Sequence, residues 1–216
     1  MIDLVSYNLA GVMLLLTFWL LVVRLVRGAV NAYALQSLVL AGVSLAAYMQ
    51  TQLLHLLVLA IATAVIKAGL IPIVIRRQVT GTVYDKRETE YHVGFPTALL
   101  VGAGLSLAGF VAAARLPLVK YIFGEPVLGI AMAVILLGLF TTVARRDAVM
   151  QLTGLLVAEN GLLLLGLVMG AGLPLLIDFA LFLDVLVGAV VMGFLIARMH
   201  ATVSTTDTSE LTRLRG

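Results

Sequence analysis

Four ionisable residues stand inside long apolar stretches of this 216-residue sequence, namely Lys67, Glu159, Asp178 and Asp184. An acidic or basic side chain at the centre of a membrane helix costs about 2.5–3.5 kcal/mol on insertion scales, so such residues face a bundle interior or water. Burial favours the neutral forms of these groups, and a group close to neutrality can take up and release a proton. The residue types therefore predict a relay of exchangeable protons.

The sequence around Lys67 predicts an irregular helix. In the segment KAGLIP, Gly69 and Pro72 follow the lysine. Proline has no backbone N–H and leaves a carbonyl of the preceding turn, that of Ala68, without its usual partner. A helix with this defect bends or admits water, which would allow a lysine to be hydrated within a membrane.

The acidic residues differ in their surroundings. Asn160 directly follows Glu159 and adds a second polar side chain to an apolar run. On one helix, Asp178 and Asp184 would point about 120° apart and be separated by a rise of about 9 Å. They cannot both line one narrow seam, but they could serve as successive stations along a hydrated path.

The same residues allow a purely structural interpretation. A buried lysine and a buried carboxylate can pair and fix helix packing, proline kinks are common in membrane helices, and Asp178 is near enough to a helix end to reach water. No serine–histidine pair, phosphate-binding loop or metal motif accompanies the charges. The sequence contains no cysteine, so it offers no thiolate ligand for a metal ion or an iron–sulfur cluster.

The elements that must position these residues are predicted to be membrane helices. Hydrophobic residues make up 62% of the sequence, charged residues 12%, and the mean hydropathy is +1.14. Apolar runs of about 20 residues are typical of transmembrane helices, whereas a barrel would show short alternating segments. We expect an all-α integral membrane protein. The sequence has no basic face interleaved with aromatic residues, so it does not indicate nucleic-acid binding. Seven transmembrane helices are predicted, at about 4–23, 29–49, 53–75, 94–114, 127–144, 148–169 and 173–197.

Loop charges predict the orientation. With the N-terminus outside, eleven of the fourteen Lys and Arg residues lie on the cytoplasmic side, and so does the C-terminus. The polar stretch 76–94 would then be a solvated connection or a docking surface for a cytoplasmic partner. The predicted organisation is a three-helix membrane segment with a cytoplasmic loop over 1–93, a four-helix membrane segment over 94–200, and a cytoplasmic tail over 201–216.

Two segments of the C-terminal half resemble a known membrane family. ARRDAVMQLTGLLVAENGLLLLGL and LPLLIDFALFLDVLVGAVVMG are similar to the hydrogenase-4 component E family, the membrane subunits of group 4 nickel–iron hydrogenases and formate hydrogenlyase-type complexes. This half also resembles the K subunit of respiratory complex I and the C subunit of multisubunit cation/proton antiporters. AIATAVIKAGLIPIVIRR is similar to the N-terminal half of component E, so the resemblance covers nearly the whole chain.

The resemblance implies roles for single residues. Glu159 and Asp184 occupy the places of two membrane-embedded carboxylates that the K-like family links to proton transfer. Arg145 and Arg146 match the paired basic residues before the first carboxylate helix. Glu159 lies about one turn further from this pair than in the complex I subunit. The second acid is Asp instead of Glu, and Asp178 is additional.

The resemblance also implies a larger machine. A nickel–iron centre and iron–sulfur clusters would lie in a cytoplasmic arm formed by partner subunits, beside antiporter-like membrane subunits, in a bacterial or archaeal inner membrane. This chain would be a non-catalytic subunit of a redox-driven proton-translocating complex, with no cofactor or redox centre of its own. Two alternatives are a structural anchoring subunit of such a complex and an independent secondary ion transporter. The expected relay residues are Glu159, Asp184, Asp178 and Lys67, supported by Asn160, Pro72, Arg145 and Arg146.

Overall fold

A computed structural model describes residues 2–79, 94–116 and 123–169, together with Gly188 and Gly193. These ranges are almost entirely helical, which confirms the predicted all-α class. Connections of two or three residues link α1 to α2, α2 to α3 and α6 to α7. The helices are α1 (Ile2–Val22), α2 (Val26–Thr51), α3 (Leu54–Ala62), a π-helix (Thr63–Leu70), α4 (Ile71–Val79), α5 (Phe95–Ala114), α6 (Glu125–Ala144) and α7 (Ala148–Val168).

Six helical units in the described ranges are long and apolar enough to cross a membrane, as in a multi-pass membrane protein. Each matches a predicted span to within a few residues. The third unit, here called the third span, consists of α3, the π-helix and α4 and covers Leu54–Arg77. The seventh predicted span, 173–197, lies outside the described residues, and so do Asp178 and Asp184. The orientation in the membrane stays a prediction.

One end of the bundle is rich in arginine. The helical units α1, the third span and α6 all finish at this end. Arg145, directly after α6, bonds to the carbonyl of Val23, directly after α1. Arg76, near the end of the third span, bonds to Asn31, near the start of α2. We call this end of the bundle the arginine end. Arg115 follows α5 at the opposite end. The arginine end carries Arg24, Arg27, Arg76, Arg77, Arg145 and Arg146.

The tightest packing joins α6 to α7, and α6 in turn packs on α5 and α1. A Cβ atom at Gly154 would lie 2.7 Å from the backbone nitrogen of Thr142, and one at Gly161 would lie 2.8 Å from that of Ile135. The two backbones are therefore in contact, which membrane helices achieve with small residues. On the other side of the bundle, α2 packs on α1, on the third span and on α7. It thus contacts both of the helical units that carry Lys67 and Glu159.

The third span is irregular where the sequence predicts a defect, but the irregularity has a specific form. Residues Thr63–Leu70 form a π-helix that contains Lys67, and its last bond runs from the N–H of Ile71 to the carbonyl of Ile66. Pro72 follows and has no N–H to continue this pattern. π-helical turns are rare and are frequently found at functional sites.

Candidate functional site

Lys67 and Glu159 form an ion pair inside the bundle. The Nζ atom of Lys67 lies 2.9 Å from Oε1 of Glu159. The lysine side chain is fully buried and that of the glutamate is 8% exposed. Lys67 lies near the middle of the third span and Glu159 near the middle of α7, so the contact is far from both ends of the bundle. The pair therefore ties these two helical units together close to the mid-plane.

A chain of buried hydrogen bonds extends from the residue next to Glu159. Asn160 donates from Nδ2 to Oε1 of Gln36 at 3.1 Å and to Oγ of Ser37 at 3.0 Å. Gln36 in turn donates from Nε2 to Oγ1 of Thr17 at 2.8 Å and to the carbonyl of Met13 at 3.3 Å. These bonds connect α7, α2 and α1, and we call Asn160, Gln36, Ser37 and Thr17 the amide network.

The amide network fixes the rotation of α7. Consecutive residues of an α-helix point about 100° apart. With Asn160 bonded to α2, the side chain of Glu159 is directed towards the neighbouring third span, where Lys67 lies. The sequence indicated Asn160 as a supporting residue, but it gave no indication of Gln36, Ser37 or Thr17, because neutral polar residues are unremarkable in a membrane helix.

Further buried polar atoms lie on the helices that surround the ion pair. They are Oγ1 of Thr63 and Oδ1 of Asn160, and neither has a hydrogen-bond partner among the described residues. Thr63 is one turn before Lys67 on the π-helix. Buried polar atoms are rarely left without partners, so these atoms favour water or further polar groups beside the pair.

Arg145 has a different environment from its neighbour Arg146. The Arg145 side chain is fully buried, whereas Arg146 is exposed. The guanidinium of Arg145 donates to the carbonyls of Leu20 at 3.1 Å, Leu21 at 3.2 Å and Val23 at 2.6 Å. A helix C-terminus has unsatisfied carbonyls and a partial negative charge, and a cation there satisfies both. Arg145 is thus a cap on the end of α1, a role that loop charge alone does not predict.

The start of α7 is held by two contacts at the same end. Asp147 is its N-cap, with Oδ1 accepting from the backbone N–H groups of Val149 at 2.9 Å and Met150 at 3.1 Å. Gln151 donates from Nε2 to the carbonyl of Arg145 at 2.8 Å. The beginning of the helix that carries Glu159 is therefore tied to the cap on α1.

Sequence comparison with known proteins finds relatives that align with most of this chain. It is 30% identical over 194 residues to the uncharacterized protein Rv0085 of Mycobacterium tuberculosis, an alignment that covers 89% of this chain and 87% of that protein. The chain belongs to the same family as Rv0085. It is also 27% identical over 215 residues to hydrogenase-4 component E of Escherichia coli and of Shigella flexneri, with 99% of each chain covered. No family model and no solved structure matches the chain.

These relatives confirm the resemblance to hydrogenase-4 component E as a distant relationship over nearly the whole chain. Within the described ranges, no group of three or more His, Cys, Asp and Glu side chains could hold a metal ion. The prediction that cofactors lie only in partner subunits stays a prediction. Of the four expected relay residues, the structure brings Lys67 and Glu159 into contact.

Proposed function

We propose that this chain is a membrane subunit of a hydrogenase-type, redox-driven proton-translocating complex, and that Lys67 and Glu159 lie on its proton path. The observation that carries the proposal is the 2.9 Å contact between a fully buried ammonium and a nearly buried carboxylate. The full-length similarity to hydrogenase-4 component E supports the class of complex. The six apolar helical units support a location in a membrane.

The ion pair can exist in two forms that differ only in the position of one proton. Transfer of a proton from Nζ of Lys67 to Oε1 of Glu159 turns the charged pair into a neutral amine and a neutral carboxylic acid. The net charge of the site is the same in both forms. Desolvation favours the neutral form and mutual attraction favours the charged form. A nearby charge or a change in hydration can therefore shift the balance and let the carboxyl group pass its proton on, after which the neutral amine of Lys67 takes up a new proton from the path and the charged pair is restored.

The proposal extends to residues and partners beyond the described contact. Asp184 and Asp178 continue the relay as further carboxylates, and stretch 76–94 contributes to docking of the cytoplasmic arm. That arm holds the nickel–iron centre and the iron–sulfur clusters, and antiporter-like subunits lie beside this chain in a bacterial or archaeal inner membrane. This chain has a coupling role and no redox centre of its own.

A structural role is the second candidate, and the amide network favours it. Hydrogen bonds from Asn160 through Gln36 to Thr17 tie three helices, and the Lys67–Glu159 pair ties a fourth helical unit. In this structural role, the charges of Lys67 and Glu159 hold the helices together and transfer no protons. The two roles differ in what happens when both charges are replaced by apolar groups of similar size.

The double variant Lys67→Met/Glu159→Leu separates the two roles. Replacing a buried ion pair by packed apolar side chains is often neutral or stabilising, so the complex should still assemble. We expect that inverted membrane vesicles containing it keep electron transfer but lose most redox-driven proton uptake, and that Glu159→Gln does the same. Arg115→Gln, at the opposite end of the bundle, is the control. Normal proton uptake by the assembled double variant would leave only the structural role.

A further inference from the structure

The hydroxyl group of Thr63 differs from other threonine hydroxyls of the bundle in its hydrogen bonding. A threonine in a helix commonly donates to the carbonyl four residues earlier. In this protein that bond is made by Thr17, Thr51, Thr141, Thr142 and Thr153. Thr63 is fully buried, yet its Oγ1 has no hydrogen-bond partner among the described residues. A buried donor is therefore left over at the first residue of the π-helix.

Asn160 supplies the complementary atom, a buried acceptor. Thr17 gives its hydroxyl hydrogen to the carbonyl of Met13, so its oxygen accepts from Nε2 of Gln36 at 2.8 Å. Gln36 therefore presents Oε1 to Asn160, which must donate from Nδ2. The remaining atom of this amide is Oδ1, which has no hydrogen-bond partner in the described part of the chain. The amide network thus determines that the atom left over next to Glu159 is an acceptor.

Helix geometry places both atoms beside the ion pair. Thr63 is one turn before Lys67, and long side chains lean towards the N-terminus of their helix. The side chain of Lys67 therefore passes the turn that carries Thr63 on its way to Glu159. On α7, Asn160 directly follows Glu159 and is fully buried.

The neutral form of the pair requires one new donor contact and one new acceptor contact. When Nζ of Lys67 gives a proton to Oε1 of Glu159, an N–H bond breaks and an O–H bond forms. The amine gains a lone pair that accepts a hydrogen bond, and the carboxylic acid gains a hydrogen that it donates. We propose that Thr63 donates to the neutral amine and that Asn160 accepts from the neutral acid.

The two residues act as positioning residues for the transferred proton. Neither contact is made by the charged pair, so both lower the free energy of the neutral form relative to the charged one. The inference rests on the proposed function, because the neutral form matters only if Lys67 and Glu159 exchange a proton. It adds to that function the groups that hold the proton on the carboxyl group.

One substitution should have opposite effects on stability in two backgrounds. In the parental chain, Thr63→Val removes a buried hydroxyl without a partner, and the unfolding equilibrium constant should stay the same or fall. In Glu159→Leu, Lys67 has lost its counter charge and burial leaves it a neutral amine, which makes Thr63 its donor. Thr63→Val should then raise the unfolding constant by about fivefold, the effect of one lost hydrogen bond.

Unfolding of the purified full-length chain in detergent measures this reversal. Thr63→Ser keeps the hydroxyl and should not destabilise the Glu159→Leu background. Thr153→Val is the matched control, because the Thr153 hydroxyl donates to Val149 in its own helix, and its effect should be the same in both backgrounds. The contact of Asn160 is tested in the same way. Asn160→Leu should cost about fivefold more in Lys67→Met, where Glu159 is a neutral acid, than in the parental chain.

Solid-state NMR gives a second measurement that needs no loss of charge. In glutamate-labelled chain reconstituted into lipid, the carboxyl carbon of Glu159 is identified by its loss in Glu159→Gln, and its chemical shift separates the protonated from the ionised form. We expect both forms in the parental chain. Thr63→Val should lower the ratio of protonated to ionised form by about fivefold, and Thr63→Ser should leave it unchanged.

Equal effects of Thr63→Val in the two backgrounds would overturn the role of Thr63, and so would a ratio that does not respond to this substitution or a parental Glu159 that is entirely ionised. An equal cost of Asn160→Leu in Lys67→Met and in the parental chain would overturn the role of Asn160. These measurements involve no proton uptake, so their failure leaves the proposed function standing. Normal proton uptake by Lys67→Met/Glu159→Leu would instead strike the proposed function and leave the measured contacts unchanged.

Discussion

The ammonium group of Lys67 lies 2.9 Å from the carboxylate of Glu159, and both groups are placed near the mid-plane of an apolar bundle. Each residue alone would be a costly charge in a membrane. Together they form a site whose two protonation forms have the same net charge. This relationship connects the third span to α7 and makes the pair both a packing contact and a place where a proton can be exchanged.

The amide network should behave as one energetic unit. Asn160→Leu leaves the buried amide of Gln36 without its hydrogen bond to Asn160, and Gln36→Leu does the same to Asn160. Each substitution should therefore lower the thermal stability of the purified chain. The pair should be coupled by about 0.6–2 kcal/mol, the range found for hydrogen bonds between membrane helices. A double-mutant cycle, with unfolding followed in detergent, measures this coupling.

The control for this cycle is a pair of polar residues without a shared bond. Thr153 donates within its own helix to Val149 and is a suitable partner for Gln36. Gln36→Leu and Thr153→Ala should be additive. Additivity of Gln36→Leu and Asn160→Leu would instead show that the bond between the two amides contributes nothing to stability.

Arg145 and Arg146 are adjacent in sequence and should respond very differently to the same substitution. Arg145→Gln removes a buried cation from the last carbonyls of α1, and we expect a loss of about 2–4 kcal/mol in stability, since buried charged hydrogen-bond partners are left unsatisfied. Arg146→Gln should change stability by less than about 0.5 kcal/mol, as is usual for exposed residues. Thermal unfolding of the two variants under identical conditions measures the difference. Equal losses would contradict the cap on α1.

The contact between α6 and α7 should not tolerate side chains at its glycines. Gly154→Ala places a Cβ atom 2.7 Å from the backbone nitrogen of Thr142, so the helices must separate. We expect poor accumulation of this variant in membranes and a lower unfolding temperature. Gly104→Ala is the matched control, because no atom lies within 4 Å of a Cβ built there. Normal accumulation and stability of Gly154→Ala would contradict such close packing.

The sequence predicts the six described spans well because a bilayer leaves few alternatives to long apolar helices. It also draws attention to Lys67 and Glu159, because charged residues are rare in such helices. It does not show that they meet, since that depends on α2 packing against both the third span and α7. The position of these two helical units relative to each other is a property of the tertiary fold.

Three other structural features could not be predicted from the sequence, each for a local reason. Pro72 indicates a defect in the third span, but not that the chain widens into a π-helix on the N-terminal side of the proline. Arg145 and Arg146 look alike as loop charges, and only the position of the end of α1 decides which of them is buried. Gln36 and Thr17 are ordinary polar residues until α7 brings Asn160 beside them.

Charge reversal tests the central claim most directly. Lys67→Glu and Glu159→Lys each place two like charges in contact inside the bundle, so each should lose most of its accumulation in membranes and its thermal stability. The double variant Lys67→Glu/Glu159→Lys restores opposite charges, and we expect it to recover a large part of the parental unfolding temperature. A double variant that is as unstable as the two single variants, or less stable than either, would contradict the direct contact between these two residues on which the proposed proton path depends.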